Sequence, residues 1–288
     1  MTLNFTTESA YRKKWMPNLF QEVLKKAVVS FDICAVDYSD VKYIENPYGS
    51  VSSVTQQAIA GTYSIADFDV TADTLTVTEE FVWSEQVYDF EQVASVANVK
   101  GSRMKDAMVA MGVAIDKYVL NALLDAGTTT YSTPAGGFAT SANVNEIMGQ
   151  LSGKVAGYAE VFNGLYLVVE STDIPGIVQS GMASGFSFAD TWLRNGLAAK
   201  NIYAGFDLYV VRPSTFVTAT LGTTAFTNLN HRVAGVKGVS TICMPGGRSR
   251  WMEKEVSGKT GVELAMVAYV GFKAWFQKLA LTVDITLT

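Results

Sequence analysis

Apolar residues recur along this chain with two different periods, and the change from one to the other marks out its parts. In residues 15–29, Leu19, Val23, Leu24 and Ala27 fall at helical spacing after Pro17, a residue that a first helical turn tolerates. A short amphipathic helix behind a polar tail is expected there. From Val41 to Trp83 the period becomes two, in a stretch rich in Thr, Val, Ser, Tyr and Phe, which predicts strands. Phe68, Val70 and Ala72 share one parity while Leu75, Val77, Phe81 and Trp83 share the other, so a bulge or bend is expected near Asp73. The Ala60-Gly61-Thr62-Tyr63 step gives the freedom for a reversal, making residues 48–75 a candidate extended hairpin. A hairpin that cannot bury both faces by itself needs another surface to lie on.

The helical period returns most strongly at 103–127. Met104, Met108, Met111, Ile115, Tyr118, Val119 and Ala122 share one arc, Val109, Val113, Leu120 and Leu124 lie roughly opposite, and Gly127 stands where a C-cap belongs. Lys105, Asp116, Asn121 and Asp125 separate the two stripes. A helix apolar on two faces is covered on two faces. After the Gly-rich connector 128–140, Val144, Ile147, Met148, Leu151 and Val155 predict a second helix with Ser141 or Asn143 as N-cap. Short apolar runs at Leu165–Val169 and Leu208–Val211 alternate with helix-like and Gly-rich segments, the pattern of a mixed α/β region. Strict alternation of Leu279, Leu281, Val283, Ile285 and Leu287 with polar or small residues predicts a half-buried strand at the end. No internal repeat or linker is visible, and the fold class is α+β.

Composition adds a constraint on the surface. The 288 residues are 49% hydrophobic and only 17% charged, with net charge -5 and mean hydropathy +0.18. Ordinary globular domains carry about 25% charged residues, so part of the apolar surface is expected to lie against partners. The longest uninterrupted apolar stretch, Leu264 to Val270, is far shorter than the roughly 20 residues a membrane helix needs, so the expected partner is not lipid. The first residues lack the apolar core of a secretory signal, and a cytoplasmic site of action is expected. Cys34 and Cys243 are far apart with no C-x-x-C pairing, and are expected to be buried small hydrophobes.

Candidate chemistry is sparse. His231, the single histidine, sits in TNLNHRVAG, and no G-x-S-x-G elbow supplies a nucleophile for it to serve; an ordinary surface histidine is expected. Ser257-Gly258-Lys259-Thr260 contains the G-K-T of a phosphate-binding loop, but Glu253 replaces the earlier glycine and a strand-like run follows, so a turn between strands is expected. Asp67, Asp69 and Asp73 have the spacing of calcium-loop ligands, yet Ala72 and Thr78 replace the required Gly and Glu. Glu79 and Glu80 would point to opposite faces of a strand and cannot form a catalytic pair. The basic clusters, Arg12 to Lys14, Lys25 with Lys26, and Arg248, Arg250 and Lys254, belong to no nucleic-acid module; solvated faces are expected, with contact to nucleic acid or an acidic partner as the alternative. No catalytic, cofactor or metal site is predicted.

The order of parts carries more than any motif. An N-terminal arm, a β-rich extended hairpin, a long two-faced helix ending in IDKYVLNALLDAG, a Gly-rich α/β region and a final strand resemble the major capsid proteins of tailed bacteriophages, the Hong Kong 97-type fold. The best segment is VYDFEQVASVANVKGSRMKDAMVAMGVAIDKYVLNALLDAG, residues 87–127. The resemblance implies an N-terminal arm at 1–40 and an extended loop at 46–75. It further implies a peripheral domain at 41–45, 76–135 and 265–288 with a spine helix at 103–126, and an axial domain at 136–264. It implies a non-enzymatic subunit that assembles with itself into pentamers and hexamers, the hairpin of one subunit lying across its neighbour. The shell would enclose double-stranded DNA without sequence-specific binding, in a virion assembled in the host cytoplasm, with scaffolding, portal and decoration proteins as further partners. Trp15, Phe20, Tyr48, Tyr63, Phe68, Arg248 and Arg250 are the interface residues expected on this basis. Some members crosslink through a loop lysine, but residues 43–99 contain none, so no crosslink of that kind is expected. Only about a dozen residues precede the first helix, which implies a separate scaffold or none.

Three rivals compete. An encapsulin compartment resembles the same shell but encloses enzymes. A small-ligand binding protein or enzyme would hold a cleft lined by Tyr158, Tyr166, Tyr203 and Trp192. A tail-tube protein is also β-rich, but the long helix argues against it.

Overall fold

The computed structural model describes residues 29–49, 70–88, 99–127, 129–155, 164–183, 205–245, 250–255, 261–275 and 281–288. In chain order these form α1 (Ser30–Ile33), β1 (Ala35–Asp37), β2 (Tyr43–Gly49), β3 (Val70–Thr76), β4 (Glu79–Tyr88), α2 (Val99–Asp125) and β5 (Thr129–Ser132). Then come α3 (Ser141–Val155), β6 (Leu165–Glu170), α4 (Ile174–Ala183), β7 (Phe206–Val211), β8 (Thr218–Leu221) and β9 (Thr224–Thr227). The last are β10 (His231–Val236), β11 (Ser240–Cys243), β12 (Arg250–Glu255), β13 (Gly261–Ala274) and β14 (Thr282–Thr286).

The long helix organises everything else. Its 27 residues begin four positions before the apolar pattern does. Met108, Met111, Ile115, Tyr118, Val119, Leu120 and Leu124 are all buried. The cover comes from two sheets. One has the order β1-β11-β13-β12 with β4 also paired to β13, and the other the order β5-β14-β10-β6-β7. Helix α2 packs against β4 and β13 of the first and against β10 and β14 of the second. Expected two-sided cover is therefore found, though Val109 and Val113 of the second stripe are only half-buried. By length and composition Arg103–Asp125 could cross a membrane. Here it is instead the filling between two sheets.

The second sheet has apolar residues on both faces, which is why β6 reads as one continuous apolar run. Tyr166, Val168, Tyr209 and Val233 join the core around α2. Leu165, Leu167, Val169, Phe206 and Ala234 face the other way and pack with α3 and α4. The five residues that predict α3 are the five it buries. The helix begins at Ser141, so Ser141 and Asn143 lie in its first turn and neither is the cap. Asn143 instead donates from Nδ2 to the Ala135 carbonyl at 2.9 Å, pinning the connector.

Strands β2 and β3 pair antiparallel without interruption from Tyr43 opposite Thr76 to Gly49 opposite Val70. This is the base of the expected hairpin; its reversal at 60–63 lies outside the described residues, as does the expected N-terminal helix at 15–29. No bulge occurs at Asp73, which sits in register opposite Asn46 and pairs with Lys273 at 2.8 Å. Leu75, Val77, Glu79 and Phe81 are the less exposed positions and share one parity, so the inward parity carries unbroken from β3 into β4; Ala72, whose parity suggested a slip, is exposed.

Several strand pairings join segments from distant parts of the chain. The domain boundary expected at 264/265 falls inside β13, whose Gly261 to Val270 pair with β4 and whose Val262 to Val267 pair with β12. The terminal strand β14 joins β10 and β5 in the second sheet rather than the first. The β4–β13 and β10–β14 pairings join segments far apart in sequence, which local periodicity does not record.

Candidate assembly interface

Side chains that the sequence offers for chemistry are engaged in structure. His231 lies in strand β10, not a loop, and its Nδ1 is 2.7 Å from Asp284 Oδ1 on β14. Glu79 is buried while Glu80 is exposed, so the adjacent carboxylates do diverge. Asp73 is paired with Lys273; Asp67 and Asp69 lie outside the described residues, as does the G-K-T turn. The antiparallel neighbours β12 and β13 flank that turn. Among the described residues no group of three or more His, Cys, Asp and Glu is placed to hold a metal ion.

Both cysteines are buried and free. Cys34 accepts a hydrogen bond from Ser240 Oγ at 2.9 Å, and burial pushes its thiol up to about 12. Only thiolate attacks a disulfide reagent, so at about pH 8 the folded chain should leave Cys34 unmodified over minutes, and unfolding should make it react fully. Rapid modification of Cys34 without denaturant would show that its cover is open.

Two residues read from the sequence as separators of the apolar stripes are polar nodes in the core. Asp116 Oδ1 accepts from the Ser30 backbone N–H at 2.8 Å and from Ser30 Oγ at 2.6 Å, and Oδ2 accepts from the Val29 N–H at 2.9 Å. Asn121, fully buried, donates to the Thr215 carbonyl at 2.9 Å and accepts from the Val217 N–H at 3.2 Å. A third node lies in the second sheet. Arg232 donates to Asp173 Oδ2 at 2.6 Å and to Glu170 Oε2 at 3.2 Å. Glu170 Oε1 also accepts from the Thr215 and Phe216 N–H groups. Local sequence signals did not reveal these contacts, because each joins positions far apart in the chain. Near α1, Lys237 donates to Asp207 at 2.7 Å and to the Tyr209 hydroxyl, which donates to Asp32.

Among the described residues, three of the seven exposed large apolar side chains lie together on the outer face of the first sheet, the others being Tyr38, Val41, Tyr43 and Leu229. In β13, Leu264, Met266, Ala268 and Val270 face inward; Glu263, Ala265, Val267 and Tyr269 alternate with them on the other face, where Val267 is covered and Glu263 and Tyr269 are exposed. Register places Met252 beside Ala265, and Val82 beside Val267. Val82 is 59% exposed, Met252 45% and Tyr269 45%, an apolar stripe across three strands with Glu80, Lys254 and Glu263 around it. The uninterrupted run Leu264 to Val270 is its signal in the sequence: in a strand, such a run makes both faces apolar.

Of the expected interface residues, Tyr48 lies in β2 opposite Thr71 and Arg250 begins β12 opposite Val267. Trp15, Phe20, Tyr63, Phe68 and Arg248 lie outside the described residues. So do Tyr158, Trp192 and Tyr203 of the rival cleft. The remaining cleft residue, Tyr166, lines no cleft: it is 1% exposed, packed in the core around α2, and burial raises its phenol.

No family model matches the chain, and no curated protein matches it. Solved structures do. The asymmetric unit of the bacteriophage PhiM1 mature capsid aligns with TM-score 0.67 and 10% identity, covering 91% of this chain and 87% of that one. The chain has the Hong Kong 97-type capsid fold. The capsid structure of cyanophage P-SCSP1u aligns with TM-score 0.62 at 13% identity, over 91% and 88% of the two chains. A virus-like particle from Pyrococcus furiosus aligns with TM-score 0.59 at 11% identity, over 92% and 95%. Identity this low identifies the shared architecture while almost every side chain differs. The Hong Kong 97-type fold accounts for the long helix between two sheets and for the hairpin base at β2 and β3.

Proposed function

We propose that the chain is a structural shell subunit that assembles with copies of itself into pentamers and hexamers, forming an icosahedral capsid around double-stranded DNA. The observation that carries this is the match, across about nine-tenths of both chains, to subunits from phage capsids. In this reading residues 41–45, 76–135 and 265–288, with the spine helix at 103–126, form the peripheral domain, and residues 136–264 form the axial domain. Residues 1–40 are the arm and the hairpin rooted at β2 and β3 is the extended loop. Trp15, Phe20, Tyr48, Tyr63, Phe68, Arg248 and Arg250 serve the subunit contacts in this reading, joined by the outer stripe of Val82, Met252 and Tyr269. Net charge -5 suits a container, because a strongly basic lining would hold packaged DNA against movement. Assembly in the host cytoplasm, with portal, scaffolding and decoration proteins as partners, completes the reading.

Negative-stain microscopy with light scattering on the purified chain tests it. Closed icosahedral particles, or capsomers of five and six copies, are expected; a monomer of 31.1 kDa that persists across salt and scaffold conditions would refute the proposal. Val82→Asp with Tyr269→Asp should abolish particles while leaving the thermal transition of the isolated subunit in place, since both positions are exposed. Normal particles from that variant would remove the outer stripe from the interface.

A further inference from the structure

Strands β8 and β9 form a two-residue-turn hairpin inserted between β7 and β10 of the second sheet, yet it belongs to neither five-stranded sheet. Two-stranded hairpins are marginal alone, so its position is set by what holds it. Its root is fastened to α2. Asn121 takes the Thr215 carbonyl and the Val217 N–H, and Asn228 just beyond β9 donates to the Asn121 carbonyl at 3.2 Å and to Asp125 Oδ1 at 3.0 Å. Its middle rests on an aromatic ladder. Phe226 meets Tyr118 edge-on at 6.0 Å, and Tyr118 meets Phe81 of β4 edge-on at 5.9 Å. Its tip reaches the first sheet directly, where Thr223 Oγ1 donates to Glu79 Oε1 at 2.9 Å at the start of β4.

The tip is built for close approach. Gly222 has φ +60, and a Cβ there would stand 1.9 Å from Glu79 Oε2. Glu79 is only 5% exposed, so its carboxylate needs the donor that the tip supplies. Thr218, Ala219, Thr220, Ala225 and Thr227 face solvent, leaving Leu221 and Phe226 as the apolar side that packs inward. A segment inserted between two strands of the second sheet thus crosses the C-terminal half of α2 and grips the first sheet.

We propose that the hairpin Thr218–Thr227 is a clasp that fixes the angle between the two sheets, and that release of its tip, with the root still fastened, lets one subunit adopt different curvatures in a shell. The curvature half rests on the shell reading above; the clasp does not. Gly222→Ala sets a Cβ against Glu79 Oε2 at a positive φ, so the tip or the Glu79 carboxylate must shift and their contact is broken, and Thr223→Val removes only the donor.

Hydrogen exchange of the full chain is the first readout. In both variants the amides of β8, β9 and the start of β4 should exchange about tenfold faster, while those of α3 and β6 keep their wild-type rates. The second readout is the distance distribution between spin labels at the exposed positions Ser84 and Glu146, which should broaden in Gly222→Ala. Unchanged exchange and an unchanged distribution would overturn the clasp, and so would uniform acceleration throughout the chain, which would make the hairpin an ordinary part of the core. Particles from Gly222→Ala should spread in diameter. Particles of wild-type size from a subunit with a broadened distribution would overturn the curvature half. Absence of particles from the unmodified chain would instead be a failure of the shell reading, and exchange would still decide the clasp.

Discussion

Arg232→Leu is expected to remove about 3–5 kcal/mol from the stability of the subunit. Arg232, Glu170 and Asp173 are all at least nine-tenths buried, and one guanidinium faces two carboxylates. Both carboxylates have further donors: Glu170 takes the Thr215 and Phe216 N–H groups, and Asp173 takes the Glu170 N–H at 3.0 Å. Those amides are fixed by the backbone and cannot follow the charge out to water. Leucine would therefore leave two carboxylates close together in a low-dielectric setting with only neutral donors, the costly half of a broken buried pair. Urea denaturation should report a lower midpoint at unchanged slope. Adding Glu170→Gln and Asp173→Asn to Arg232→Leu should restore much of the loss, because both amides still accept from the same N–H groups and carry no charge. A single variant within about 1 kcal/mol of wild type would show that the carboxylates reach solvent, contrary to their burial.

How far the sequence speaks for itself depends on the range of the interaction. Helix α3 is legible because Val144, Ile147, Met148, Leu151 and Val155 bury one stripe against one neighbour. The long helix is legible in type and approximate extent for the same reason, and its two stripes announce two covering layers. What covers them is not legible. Strand β4 pairs with β13 from Glu79 opposite Val270 to Tyr88 opposite Gly261, across most of the chain, and nothing in either segment names the other. The parity change near Asp73 misleads, because it counts Ala72 as inward while the structure leaves Ala72 exposed and keeps one inward parity from Leu75 to Phe81.

Polar residues inside the helix mislead in a more instructive way. Asp116 and Asn121 look like solvent-facing breaks between stripes because a polar residue on a helix is usually exposed. Here each is buried at 7% and 0% exposure, and each serves backbone groups of a segment that has no regular partner of its own. The proposed assembly surface is legible only in part. The apolar run Leu264 to Val270, measured against a membrane helix, is short; measured as a strand, it leaves Tyr269 exposed on an outer face that a free-standing domain would make polar.

Asp116 gives the subunit an acid response of definite sign. Burial, the dominant influence, pushes its carboxyl up from 3.8 to about 6, against three hydrogen bonds from Val29 and Ser30 that pull it down. The folded chain therefore holds this proton more tightly than the unfolded chain does. Stability from this group is fully present below about pH 3.8 and is lost as pH rises through about 6, with nothing further lost above. A difference of about two pH units corresponds to about 3 kcal/mol. The neighbouring Cys34 thiol, raised to about 12, stays neutral throughout this window and does not interfere. Other carboxylates titrate over the same range, so the measurement is a difference between two proteins. Asp116→Asn keeps an oxygen for Ser30 and cannot ionise. Unfolding free energies of wild type minus those of Asp116→Asn, taken from about pH 3.5 to 7, should fall by about 3 kcal/mol up to pH 6 and then level off. A flat difference, or one that rises with pH, would mean that the three donors outweigh burial and that the charged form is the one the fold prefers. The expected sign has a mechanical meaning, because opening the contact returns Asp116 to water and to its ordinary ionisation. Acid should hold Val29 and Ser30 against the long helix, and neutral pH should ease their release.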